Sequence, residues 1–103
     1  MILTHDHPFL HWDLMLESQG MLLTWRLMSE PAVGEVVAAE QLPDHRIQYL
    51  DYEGPVSGDR GTVTQFEAGR FERIDDEALF TVRLLGRELR CSLTVLDGRC
   101  KFH

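Results

Sequence analysis

Three residues near the beginning of the chain, His5, His11 and Asp13, have the types and the spacing of metal ligands. His11 and Asp13 are separated by one residue, and side chains at that spacing on a β-strand project from the same face of the sheet. An imidazole nitrogen and a carboxylate oxygen placed in this way can bind one ion at distances of about 2.1 Å. Two imidazoles and one carboxylate suit Mn²⁺, Fe²⁺ or Zn²⁺ and leave coordination positions for water or a substrate.

The third ligand has two candidates, because His5 and His7 both precede the predicted strand. Pro8 follows them, so the chain is expected to bend back and place His5 beside the beginning of the strand. His7 remains an alternative, and spacing alone does not choose between the two histidines. A His-x-Asp pair on a solvent-facing strand is commonly only a polar face, so the metal site is a hypothesis at this point.

The negative charge of the chain is concentrated in the half that contains these residues. The formal net charge is −7, and residues 1–53 contain nine acidic side chains, two basic ones and four of the five histidines. Acidic side chains and imidazoles together favour a cation. Nucleic-acid-binding proteins usually carry a basic surface, which this composition does not provide. Sequence-independent affinity for DNA is therefore predicted to be weak.

The elements that must position the candidate ligands are predicted to be β-strands. Residues 11–17 alternate between apolar and polar side chains, and a turn leads to a return strand over 21–27. A further strand is predicted over 35–40, followed by a loop over 42–45. The pattern predicts an all-β single domain over residues 1–103, a small antiparallel β-barrel of about seven or eight short strands with at most a short helix.

The sequence also predicts where the protein resides. No apolar run approaches the ~20 residues of a membrane helix, and no signal peptide is recognised after Met1. The protein is therefore expected to be cytoplasmic, monomeric and without a membrane partner. Two cysteines, Cys91 and Cys100, are too few for a disulfide scaffold and are expected to be reduced. Cys91 falls on an apolar alternation, which favours a small core residue over a metal ligand.

A second polar cluster contains His45, Arg46 and Tyr49. His45 and Arg46 can contact an anion, and Tyr49 can donate a hydrogen bond to a phosphoryl oxygen. Taken alone, the cluster is better explained as a polar loop followed by a packed tyrosine.

Four segments of the sequence form an ordered pattern. They are THDHPFLHWDLMLE at 4–17, GMLLTW at 20–25, DHRIQYLDYEG at 44–54 and GDRGTV at 58–63. Together they resemble the 3′-phosphoesterase domain of bacterial DNA ligase D, whose segments include H-D-x-x-x-L-H-Y-D-F-R-L-E and E-D-H-P-L-D-Y-x-x-F-E-G. The resemblance runs through nearly the whole chain.

This resemblance implies a small β-barrel enzyme that removes a 3′-phosphate or a 3′-terminal ribonucleoside from nucleic acid. It implies metal ligands at His5, His11 and Asp13, and an active-site histidine and tyrosine at His45 and Tyr49. Mn²⁺ is the implied cofactor, with Zn²⁺ or another divalent transition metal as an alternative. The implied partners are nucleic-acid 3′ ends and DNA-repair proteins.

The chain departs from the family at phosphate-binding cations, which are replaced by Met15, Ser29 and Val37. The remaining candidates for phosphate binding are Arg26, Arg46 and Arg60. Because phosphoryl transfer requires charge neutralisation, the replacements predict weakened hydrolysis. The alternative is a non-catalytic metal-binding module or an accessory module in nucleic-acid repair. A non-haem iron oxygenase is a more distant alternative, since such enzymes also use two histidines and one carboxylate.

Overall fold

The structure, a computed structural model, describes residues 1–47, 53–56, 61–74 and 80–103 of the chain. Ten β-strands are present in these residues, and none of the described residues forms a helix long and apolar enough to cross a membrane. The strands are β1 (Ile2–His5), β2 (His11–Ser18), β3 (Met21–Leu27), β4 (Val36–Arg46), β5 (Gly54–Pro55), β6 (Thr62–Glu67), β7 (Gly69–Arg73), β8 (Phe80–Gly86), β9 (Arg90–Leu96) and β10 (Arg99–Phe102).

All neighbouring strands are antiparallel and follow the order β5-β6-β1-β2-β3-β4-β10-β9-β8-β7. Only Ala68 separates β6 from β7, although these strands lie towards opposite ends of that order. The sheet therefore curves to bring these consecutive strands together, and the Ala68 carbonyl between them accepts a hydrogen bond from the Arg87 backbone N–H at 3.2 Å. The predicted all-β antiparallel fold is confirmed. The described residues contain more strands than expected because the short strands β1 and β5 were not predicted.

One face of the curved sheet packs into the main hydrophobic core. Leu14 and Leu16 of β2 are almost fully buried there, and Trp12 packs against the same core while partly buried. Buried side chains from six other strands join them: Ile2, Trp25, Leu27, Val37, Val82, Leu84, Leu93, Cys100 and Phe102. Each such aliphatic or aromatic side chain contributes about 1.5–3 kcal/mol to folding. Because side chains alternate along a strand, the opposite face of β2 carries His11 and Asp13.

Strand β4 is longer than predicted and includes the expected loop over 42–45. In the β3–β4 pairing, Thr24 lies opposite Leu42 and Leu22 lies opposite His45, so β4 has one more residue than β3 across this stretch. Such a bulge accommodates a proline, which lacks the N–H that a regular ladder needs. The turn-forming types at 43–44 predicted a loop, but pairing with β3 keeps them in the sheet.

The corner between β6 and β7 is held by the carboxylate of Glu67, a buried side chain. Its Oε1 accepts backbone hydrogen bonds from Ala68 at 2.9 Å and Arg87 at 2.8 Å. Its Oε2 accepts from Glu88 at 3.0 Å and Leu89 at 2.7 Å. Burial alone would raise the pKa of Glu67, but the four backbone N–H donors outweigh it and lower the pKa to about 2. The carboxylate therefore joins the β6–β7 corner to the turn between β8 and β9.

Candidate metal centre

Strand pairing brings His5, His11 and Asp13 together on the face opposite the main core. His5 of β1 lies directly opposite His11 of β2, and their ring centroids are 4.9 Å apart. Asp13 Oδ2 is 3.8 Å from His5 Nδ1, and Asp13 Oδ1 is 3.5 Å from His11 Nε2. One ligand atom from each residue lies within 4.8 Å of the others, which is compact enough for one ion to reach all three.

The hydrogen bonding of His11 directs one ring nitrogen toward Asp13. Its Nδ1 is 2.8 Å from the Phe9 carbonyl oxygen, and because a carbonyl can only accept, Nδ1 carries the proton. In the neutral ring Nε2 then carries the lone pair, which is the usual arrangement of a metal-binding histidine held by a backbone carbonyl. The sequence places Phe9 two residues before the ligand, so this contact is local.

Two of the candidate ligand atoms have unmet hydrogen-bonding capacity. His11 Nε2 and Asp13 Oδ1 are buried and have no hydrogen-bond partner among the described residues. A buried polar atom without a partner costs about 1–3 kcal/mol, and here two electron-pair donors face each other across 3.5 Å. A divalent cation between them would satisfy both atoms, so the residues fit a metal ion.

The structure places the two candidate histidines, His5 and His7, differently. His7 is exposed in the loop between β1 and β2, which contains a cis His7–Pro8 peptide bond. In the described ranges, the group of close potential ligands includes His5 and does not include His7. The bend predicted at Pro8 is present, because His5 pairs with His11.

His45 lies on β4 and is held by a threonine of β3. The Thr24 hydroxyl donates to the Leu22 carbonyl at 3.0 Å, so its oxygen accepts the hydrogen bond from His45 Nδ1 at 2.7 Å. Because Nδ1 is the donor in this hydrogen bond, Nε2 is the ring nitrogen of His45 that would act on a substrate. Tyr49, the predicted partner of His45, lies outside the described residues.

We expect Thr24→Val to release this orientation of His45. Valine keeps the volume of the buried threonine but cannot accept the hydrogen bond, so the fixed Nδ1–H tautomer is lost and stability falls by about 1 kcal/mol. Nitrogen NMR shifts of the imidazole would show the second tautomer at His45 and an unchanged His11. Thr24→Ser, which keeps the hydroxyl, is the control. A single unchanged tautomer in Thr24→Val would contradict the assignment.

The candidate phosphate-binding arginines differ in their placement. Arg26 of β3 lies directly opposite Asp13, and its buried Nε has no hydrogen-bond partner in the described part of the chain. Its guanidinium carbon lies 5.7 Å from the centroid of the Phe9 ring. Arg46 is exposed at the end of β4, and Arg60 lies outside the described residues.

The three positions that depart from the family also lie in different environments. Met15 is 2% exposed and packs with Leu3, Leu22 and Val63 in a second apolar cluster. Met15 shares its face of β2 with His11 and Asp13, so an apolar patch adjoins the candidate ligands. Val37 is buried in the main core, away from that face, and Ser29 is exposed beyond the end of β3.

The cysteines are not part of this centre. Cys100 is fully buried in the main core, and burial raises the pKa of its thiol to about 12. Cys91 packs against the same core, and burial raises its thiol pKa as well. The prediction that Cys91 packs in the core is confirmed, and both thiols are poor metal ligands because the binding form is the thiolate.

Sequence reasoning missed two side chains that the structure places beside the predicted residues. Thr24 shares its face of β3 with Arg26, which an alternation argument over 21–27 would have identified. Phe9 contacts both His11 and Arg26, and its position two residues before a candidate ligand was the available signal.

Comparison with known proteins agrees with the resemblance seen in the sequence. The sequence model of the DNA ligase D 3′-phosphoesterase domain matches residues 3–99. The multifunctional non-homologous end joining protein LigD of Pseudomonas aeruginosa is 32% identical over 77 residues, which cover 70% of this chain and 9% of that protein. The matched part is therefore a small fraction of that relative's length. The five predicted metal-binding and catalytic residues all lie within 3–99.

Proposed function

Because this chain belongs to the DNA ligase D 3′-phosphoesterase domain family, we propose that it is a divalent-metal-dependent phosphoesterase acting on nucleic-acid 3′ ends. It removes a 3′-phosphate or a 3′-terminal ribonucleoside. The observation that carries the proposal is the pair of buried, unpartnered atoms, His11 Nε2 and Asp13 Oδ1, whose needs a divalent cation would meet. The protein acts in the cytoplasm as a monomer, alongside other DNA-repair proteins.

His5, His11 and Asp13 hold the ion, which is Mn²⁺ in this proposal, with Zn²⁺ or another divalent transition metal as the alternative. When bound, the ion supplies positive charge to a phosphoryl oxygen and favours attack by water. The Phe9 carbonyl keeps His11 Nε2 directed at the site by accepting a hydrogen bond from the Nδ1–H group.

His45 and Tyr49 contact the phosphoryl group of the substrate. Since Nδ1 of His45 donates to Thr24, its Nε2 is the atom that donates to a phosphoryl oxygen when the ring is protonated. The Tyr49 hydroxyl adds a second hydrogen bond. Both bonds strengthen as negative charge develops on the oxygens, and that difference between ground state and transition state accelerates the reaction.

The loss of the family's phosphate-binding cations weakens this activity, but other arginines of this chain remain as candidates for phosphate binding. Met15 provides no charge where the family has an arginine, whereas Arg26 lies opposite Asp13 and supplies a cation from the neighbouring strand. Arg46 and Arg60 are the further phosphate-binding candidates. We therefore expect hydrolysis to be slower than in relatives with the full set of cations.

The test is release of phosphate from an oligonucleotide that ends in a 3′-phosphate. With Mn²⁺ we expect turnover that is lost in the presence of a chelator and reduced about 10²-fold in His45→Ala. His103→Ala is the matched control, because His103 forms a hydrogen bond with Thr94 on β9 and the candidate ligands lie on β1 and β2. Equal rates with and without metal, or equal rates in the wild type and His45→Ala, would contradict the proposal.

The apolar cluster around Met15 favours one other function, a metal-binding module that hydrolyses nothing and assists nucleic-acid repair. Such a module would bind Mn²⁺ through the same three ligands, yet it would lack the charge needed for phosphoryl transfer. Tight metal binding together with no phosphate release by the wild type would identify it.

A further inference from the structure

An exposed aromatic side chain, Phe9, lies directly beside the candidate metal ligands. The residue is 44% exposed, although it belongs to the segment that leads into β2. Its ring and the His11 ring form an edge-to-face pair, with centroids 5.5 Å apart and planes inclined by 62°. The same residue's carbonyl accepts the hydrogen bond from His11 Nδ1 at 2.8 Å. Backbone and ring are thus both fixed relative to one candidate ligand.

The surroundings of Phe9 are apolar and cationic in a half of the chain that is otherwise acidic. Leu10 is 55% exposed and Met28 is 46% exposed. Met28 directly follows Leu27, which lies opposite Trp12, the residue after His11. The guanidinium carbon of Arg26 lies over the Phe9 ring, 5.7 Å from its centroid. An exposed apolar surface next to a polar site commonly marks a contact with a ligand.

We propose that Phe9 is a stacking platform for the base of the terminal nucleoside of the substrate. The inference rests on the proposed function, because it takes the 3′-phosphate to lie at His5, His11 and Asp13. In a nucleoside held there by its phosphate, one sugar ring separates the phosphate from the base. The Phe9 ring lies at a comparable distance from the ligands, since its centroid is 5.5 Å from that of His11. Arg26 adds a cation to the same surface.

Stacking compensates for the weak electrostatics of this chain. With a net charge of −7, the protein gains little from general attraction to the phosphate backbone. A base presents an aromatic face whatever its identity, so the platform accepts any terminal nucleoside. The protein would therefore prefer a base-bearing end over an abasic end and discriminate little among the four bases.

A binding experiment tests the platform separately from catalysis. The probe is an oligonucleotide that ends in a 2-aminopurine deoxynucleoside with a 3′-O-phosphonomethyl group, which keeps the charge of the 3′-phosphate but has no ester bond between phosphorus and the nucleoside. Stacking quenches its fluorescence. We expect Phe9→Ala to weaken this binding by about 5- to 150-fold, equivalent to about 1–3 kcal/mol. Phe9→Trp should retain binding, whereas Phe9→Leu, which keeps apolar bulk without an aromatic face, should not.

Val33→Ala is the matched control, since it removes an exposed apolar side chain of the loop between β3 and β4 and leaves the ring of Phe9 in place. Metal affinity should be the same in all these variants, and an abasic end should bind equally to the wild type and Phe9→Ala. Equal quenching by the wild type and Phe9→Ala, or no quenching by the wild type, would overturn the platform. Quenching that depends on Phe9, in a protein that releases no phosphate, would contradict the proposed function and leave the platform standing.

Discussion

Replacement of His11 by alanine is expected to abolish metal binding. The rate of Mn²⁺-dependent hydrolysis should fall with it by at least about 10³-fold. His11 is fully buried and supplies Nε2 toward Asp13 Oδ1. Loss of an outer hydrogen-bond partner of a ligand already costs about 10- to 100-fold in metal affinity. Loss of the ligand itself should cost more, because His5 and Asp13 alone leave the ion with two protein ligands.

Thermal unfolding measures this effect without relying on activity. A metal at 100 times its dissociation constant stabilises a folded protein by about 2.7 kcal/mol. We expect Mn²⁺ to raise the melting temperature of the wild type and to leave that of His11→Ala unchanged. In the absence of metal, His11→Ala is stabilised because the unpartnered Nε2 is removed. It is also destabilised, because the smaller side chain leaves a cavity. The change produced by metal is therefore the informative quantity.

His7→Ala is the control for this experiment, because His7 is the competing histidine and is exposed in the loop between β1 and β2. It should bind Mn²⁺ as the wild type does. If His7→Ala lost the metal-induced stabilisation and His11→Ala or His5→Ala kept it, the assignment of the ligands would be wrong.

Replacement of Glu67 by glutamine is expected to lower the free energy of unfolding by about 2–3 kcal/mol near pH 7. The carboxylate accepts four backbone hydrogen bonds. A glutamine amide has one oxygen in place of two, and its NH₂ group would face N–H donors. The corner between β6 and β7 would then lose part of its connection to the turn between β8 and β9.

The effect of Glu67→Gln should depend on pH in a defined direction. The pKa of Glu67 is lowered from 4.5 to about 2 in the folded protein. A lowered pKa stabilises the fold above the unfolded value, and this contribution is lost as pH falls through the folded value. The difference between the wild type and Glu67→Gln should therefore be constant above about pH 5 and shrink toward pH 2.

Urea unfolding at several pH values would check this, with Glu88→Gln as the control. Glu88 lies in the same turn, but its side chain is exposed and its contact with Glu67 uses only the backbone N–H. A difference between the wild type and Glu67→Gln that stays the same from neutral to acidic pH would contradict the role of the ionised carboxylate.

Local patterns in the sequence predicted much of the fold and part of the site. The alternation over 11–17 identified β2 and separated Leu14 and Leu16 from the face of His11 and Asp13. Spacing alone could not choose between His5 and His7, because that choice depends on the register between β1 and β2. Register is set by packing of whole strands and is not contained in a short motif.

Other features depend on contacts between distant parts of the chain. His45 and Thr24 are 21 residues apart, and their hydrogen bond exists only because β3 and β4 pair. Glu67 reaches backbone donors 20 to 22 residues away. The segment over 42–45 contains turn-forming residues, so its local preference favoured a loop while its pairing made it a strand. In each case the tertiary environment outweighed the local preference.

The bulge in β4 decides which residues of that strand reach the side of the sheet that carries the candidate ligands. Before the bulge, even-numbered positions do so, since Glu40 lies opposite Arg26 and Leu42 opposite Thr24. After it, the odd-numbered His45 lies opposite Leu22. Regular pairing from Leu42 onward, with no change in length, would place Asp44 opposite Leu22 and turn His45 to the other side. The extra residue of the bulge therefore keeps His45 on the side of the candidate ligands, and a substitution that removed the bulge would turn this histidine away without replacing it.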